Sequence, residues 1–146
     1  MTTTTPPVNG QLIGLAHYAS RAVLESVLAR TGTTFHQSVA LRALADQGGT
    51  VERARLVARL TGTLKIEEPA ALRTVDEMAS RGLLAEPAAG QVALTEHGRE
   101  LFEGIRTSGN EIAARLYAGI PAEDLAAAGR VLTLVTERAN AELAGA

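Results

Sequence analysis

Between Gly82 and Thr95 the chain drops the helical spacing that governs the rest of it. Leu83-Leu84 is followed by the turn-forming Pro87-Ala-Ala-Gly90 and then by Val92-Ala93-Leu94, which predicts a short two-stranded hairpin. On both sides apolar residues recur every three or four positions, the period of an amphipathic helix. The fold is therefore mainly α, with one small β element set among helices.

The helices can be laid out from their caps and breakers. Apolar residues from Leu12 to Leu28 form a wide stripe, which predicts a first helix covered on both flanks and stopped by Gly32. Thr34-Phe-His-Gln37 has the form of a capping box and starts a second helix, expected over 35–46 and ending at Gly48-Gly49. Thr50 is the expected N-cap of a third helix with Val51, Ala54, Leu56, Val57 and Leu60 inward and Gly62 as its end. A fourth is expected over 67–81, with Pro69 in its first turn and Glu67 and Glu68 at the positive end of the helix dipole. Its apolar stripe is Leu72, Val75, Met78 and Ala79; the opposite stripe is Ala70, Arg73, Thr74, Glu77 and Arg81. After the hairpin, Thr95 caps a long helix over about 96–118 with Gly104 and Gly109 inside, and Pro121 opens a last one. In that helix Leu125, Ala128, Leu132, Val135 and Ala139 lie at heptad spacing, with Val131 and Leu134 as a second row. The third and fourth helices with the hairpin read as a winged helix-turn-helix, in which the second helix of the pair enters the major groove.

Bulk properties narrow the function classes. The 146 residues are 46% hydrophobic but only 3% aromatic, so the core is built from Ala, Leu and Val. Such a thin core is often completed by a second subunit, which predicts a homodimer. There is no cysteine, which removes disulfides and thiol chemistry and fits a cytoplasmic protein. Met1-Thr-Thr-Thr-Thr-Pro-Pro lacks the pattern of a signal peptide, and no apolar run is long enough to cross a membrane. Residues 1–10 are expected to form a disordered arm and 11–146 one domain. The three scattered histidines show no metal-ligand spacing, and His97 reads as a surface residue beside a cap. No Gly-x-Ser-x-Gly elbow or phosphate-cradling loop accompanies the serines, so neither catalysis nor a cofactor is expected. The net charge of −2 includes no basic tail, and nucleic-acid affinity would rest on a few placed cations.

Three stretches together resemble the MarR family of bacterial transcription regulators: Val75-Asp-Glu-Met78 leading into Arg81-Gly-Leu-Leu84, Leu94-Thr-Glu-His-Gly98-Arg-Glu-Leu101 after the wing, and the long terminal helices. The resemblance spans residues 11–143. It implies a homodimer formed by interlocked terminal helices, 11–32 and 100–146, around a DNA-binding lobe, 33–99. It also implies double-stranded DNA with a pseudo-palindromic operator as partner, and release by small, often phenolic or lipophilic, effectors. The chain departs from the pattern in three places. The turn Pro87-Ala-Ala-Gly90-Gln91 has no cation where a family wing carries Asp-x-Arg, the hinge Thr61–Glu68 is longer than usual, and Pro69, Ala70 and Ala71 replace small hydroxyl residues.

On this reading Arg73 and Thr74 meet base edges, Lys65 or Arg81 meets phosphate, and Thr63, Ala70, Glu77 and Gln91 complete the DNA-facing set. The plain alternative is a solvated stripe in which Arg73, Glu77 and Arg81 pair with each other at i, i+4 and i+8. His17, Tyr18, Arg21, Phe35 and His36 are the candidate effector site; otherwise His17 and Tyr18 are half-buried interface residues and His36 belongs to a capped first turn. The rival to a DNA-binding regulator is a ligand-binding or protein-interaction module that keeps the winged fold with weak or no specific DNA binding.

Overall fold

The computed structural model describes residues 5–146; of the expected N-terminal arm, residues 1–4 lie outside the described residues. Thr5 to Asn9 are exposed and without regular structure. Asn9 then caps α1 (Gly10–Leu28), its side chain accepting from the Leu12 amide at 2.8 Å. A 3-10 turn, Ala29–Thr31, closes on Gly32 in the left-handed region. The expected capping box is present: in α2 (Phe35–Asp46) the Gln37 amide donates to Thr34 Oγ1 and the Thr34 amide to Gln37 Oε1. The remaining elements are β1 (Thr50–Glu52), α3 (Arg53–Leu64), α4 (Glu68–Ser80), β2 (Leu84–Ala85), β3 (Gln91–Leu94), α5 (Glu96–Leu116) and α6 (Ala122–Ala144).

Two sequence expectations change here. Thr50 is not the N-cap of the third helix but the first residue of β1, so the wing is a three-stranded antiparallel sheet in the order β1-β3-β2. Val51 pairs with Val92, and the Arg53 amide donates to the Gly90 carbonyl at 2.8 Å. Main-chain pairing with a strand some forty residues away outweighs the local capping signal of Thr50. Nor does Gly62 end α3. Nothing stands within 4 Å of where its Cβ would lie, and the helix continues to Leu64. It stops at Lys65, whose φ of 57° lets its amide close on the Thr61 carbonyl. The hinge between α3 and α4 is therefore a tight turn at Lys65, Ile66 and Glu67, not a long linker.

The chain divides into two compact units, the first reaching to Ile112 and the second running from Ala113 to Ala146. In the first, α2, α3, α4 and the sheet enclose the core: Leu41 and Leu44 meet Leu56 and Leu60, Val75 and Met78, and the strand residues Leu84, Val92 and Leu94. Burial of each such side chain contributes roughly 1.5–3 kcal/mol. The start of α5 is locked onto this core. Thr95 Oγ1 donates to the Gly82 carbonyl and accepts from the Gly98 amide, while the Leu83 carbonyl lies 2.4 Å from the point a Gly98 Cβ would occupy.

The expected covering of α1 is not found among the described residues of the first unit: its one buried residue is Leu28, and Leu15 and Tyr18 are 59% and 70% exposed. In the second unit α6 has no buried residue at all. Both of its apolar rows, including Leu125, Val131, Leu132, Leu134 and Val135, face outward.

Candidate nucleic-acid interface

The tight turn at Lys65 delivers α4 with Pro69 in its first turn, where a missing amide hydrogen costs nothing, and with Glu68 at its positive end. Ala71, Thr74, Val75 and Met78 fall at i, i+3, i+4 and i+7 and are buried. That face is rotated from the expected stripe: Ala79 is exposed and Leu72 only half-buried. Thr74, expected at base edges, is therefore a core residue, 4% exposed, with its hydroxyl donating to the Ala70 carbonyl at 3.0 Å. A threonine can be buried this way because the preceding turn satisfies its hydroxyl, and its burial takes it out of the DNA-facing set.

The outward side of α4 holds Arg73, Asp76, Glu77 and Ser80. Arg73 is exposed and makes no ion pair or hydrogen bond among the described residues. The alternative ladder of Arg73 with Glu77 and Arg81 does not form among the described residues. Arg81 instead donates to Gln37 Oε1 at 2.7 Å and to the Thr31 carbonyl at 2.8 Å, and Gln37 Nε2 donates to Glu77 at 3.2 Å. Gln37, Arg73, Asp76, Glu77, Ser80 and Arg81 line a depression of about 550 Å³.

The other expected DNA contacts are spread over neighbouring elements. Thr63 and Lys65 are exposed at the end of α3 and the turn, the Lys65 ammonium donating to the Gly62 carbonyl at 2.6 Å. Ala70 is half-buried on the first turn of α4. Gln91 is half-buried on β3, opposite Glu52. Arg53, which the sequence reading did not single out, ties the lobe together: its guanidinium pairs with Asp76 at 2.6 Å while its amide holds the wing turn. No local pattern announces that role, because it depends on β1 being a strand.

Four of the five candidate effector residues come together. The His17 ring lies 5.9 Å from Tyr18 and 6.3 Å, edge-on, from Phe35, and the Arg21 guanidinium sits 4.1 Å above the Phe35 ring, a cation–π contact. Arg21 also pairs with Glu25. His36, half-buried one residue beyond Phe35, joins none of these contacts. The cluster is an open surface. A cavity of about 270 Å³ is formed elsewhere, by Val27, Arg30 and Thr31 against Leu101, Gly104 and Ile105. Gly104 leaves open space where a Cβ would lie.

No family model and no curated protein matches the chain. Solved structures do. The transcriptional regulator PA3341 is 23% identical with a TM-score of 0.75, over 88% of this chain and 96% of that one. A MarR-family transcriptional regulator from Rhodococcus sp. RHA1 is 21% identical with a TM-score of 0.72, over 87% and 91%. A mutant MarR from E. coli complexed with operator DNA is 20% identical with a TM-score of 0.70, over 86% and 91%. The chain thus has the winged-helix fold of the MarR-family regulators.

Proposed function

We propose that this chain is a DNA-binding transcriptional regulator, a repressor that acts as a homodimer on a pseudo-palindromic operator and is released by a small phenolic or lipophilic effector. The observation that carries the DNA-binding part is Arg73: an exposed guanidinium, with no ion pair among the described residues, on the outward face of the second helix of a helix-turn-helix. Arginine is the commonest bidentate reader of guanine in the major groove. The fold adds support, since one of the similar structures is bound to operator DNA. The homodimer is supported by α6, whose two outward apolar rows include no buried residue among the described residues. The effector is supported by the ring cluster on α1 and α2, which offers aromatic faces beside a cation.

Selection from a random duplex library with the purified protein tests the proposal. Enrichment of an inverted repeat with half-sites about one helical turn apart is expected; recovery of no motif would defeat it. A broad panel of phenols and lipophilic compounds in a thermal-melt assay tests the effector, and no stabilising compound would remove that part.

A second reading has its own support: Thr74 is buried, Arg81 is held by Gln37 and Thr31, and the wing turn has no cation. A winged module that binds ligand or protein but not specific DNA would be built this way. Ionic strength separates the two, because each phosphate contact adds about −0.9 to the slope of log affinity against log salt.

A further inference from the structure

We propose that Gln37 is a positioning residue. It ties the C-terminal end of α4 to the corner between α1 and α2, and so sets the rotation at which α4 presents Arg73. The proposal rests on the DNA-binding reading above.

Gln37 is 3% exposed, and its amide has partners at both ends. Oε1 accepts from the Thr34 amide at 3.3 Å and from Arg81 at 2.7 Å; Nε2 donates to Glu77 at 3.2 Å. The second Arg81 nitrogen donates to the Thr31 carbonyl. Glu77 on α4 and its C-cap residue Arg81 are one turn apart, so the C-terminal end of the helix is held at two points. Two points fix its rotation as well as its distance from α2. The capping box alone requires only Thr34 and Oε1; the contacts to Glu77 and Arg81 bridge 40 and 44 residues of sequence and serve no purpose in capping.

The lever is short. Arg73 stands one turn before Glu77, and a guanidinium ~6 Å from the axis of α4 moves about 2 Å if the helix rotates by ~20°. A shift of that size breaks a bidentate hydrogen-bond pair, whose length tolerance is a few tenths of an ångström. The same contacts occupy Arg81, so phosphate affinity falls to other cations while Arg81 acts on specificity through orientation.

Gln37→Met keeps the volume and removes every polar contact of the side chain. It is expected to lower the ratio of affinity for the selected operator over a scrambled duplex by about tenfold, the equivalent of losing one charge-assisted hydrogen bond. Affinity for the scrambled duplex should hold. Arg81→Met cuts the bonds to Gln37 Oε1 and the Thr31 carbonyl from the half-buried side, so the test stands even where the buried substitution does not fold; it should also lower the ratio. An unchanged ratio in a folded variant overturns the proposal. So does a fall for both duplexes with Arg81→Met at constant ratio, which would make Arg81 a phosphate contact. Amide exchange supplies a readout free of DNA: faster exchange confined to residues 31–37 and 77–83 is expected. Should the wild-type protein bind no selected duplex, the regulator reading falls and exchange alone decides, unaltered rates overturning the proposal.

Discussion

At Gly98 a methyl group has no room. A Cβ there would stand 2.4 Å from the Leu83 carbonyl oxygen and 3.2 Å from a Leu94 methyl, with the backbone on both sides pinned by Thr95. Gly98→Ala should destabilise the protein by about 1–3 kcal/mol, the range for overpacking a well-filled site, read from the midpoint of a denaturant titration. The Leu-Thr-x-x-Gly pattern that carried the family resemblance thus has a physical basis in this chain: the threonine caps α5, and only the glycine lets α5 close on the end of β2's approach. Arg73→Ala is the functional counterpart. It should leave the denaturation midpoint unchanged and weaken operator binding by about 1–3 kcal/mol in a mobility-shift titration. Residue-level inference worked for the caps at Thr34 and Thr95, where the signal is local. It failed for Thr74, whose polarity suggested exposure but whose hydroxyl is satisfied one turn back. Gln37 was read only as a cap, because nothing near it in sequence points to Glu77 or Arg81.

Among the elements, α2, α4 and the β2–β3 hairpin were legible because their period and punctuation agree. The start of α3 was not. Thr50 carries a valid cap signal, and only the distant partner Val92 reveals it as strand. The end of α3 was equally opaque: Gly62 is a breaker by propensity, yet burial of Leu60 and partial burial of Leu64 keep the helix going. The stop is placed instead on Lys65, at positive φ. A side chain there costs up to 1–2 kcal/mol, so Lys65→Gly should leave stability equal or raise it by about 0.5–1 kcal/mol by thermal melt. If the lysine also meets phosphate, the same substitution should flatten the salt slope by about one. One variant therefore separates its conformational role from its electrostatic one.

On the scale of the molecule, the feature that most needs a partner is α6. A helix with no buried residue lacks the tertiary packing of an amphipathic face that supplies most helical stability in proteins. Leu132→Glu should convert the proposed homodimer to a monomer in sedimentation equilibrium and abolish operator binding with it. A monomeric wild type would remove the dimer from the account. The terminal rows were plain in the sequence; what covers them was not, because a single chain cannot display its own mate. There is a quantitative corollary for how such a protein would meter its own dose. Where pairing is weaker than the prevailing concentration can saturate, the amount of active species grows with the square of the number of chains made. A twofold change in synthesis would then alter site occupancy about fourfold, a gain in sensitivity that originates entirely in a bare greasy rod at the end of the polypeptide.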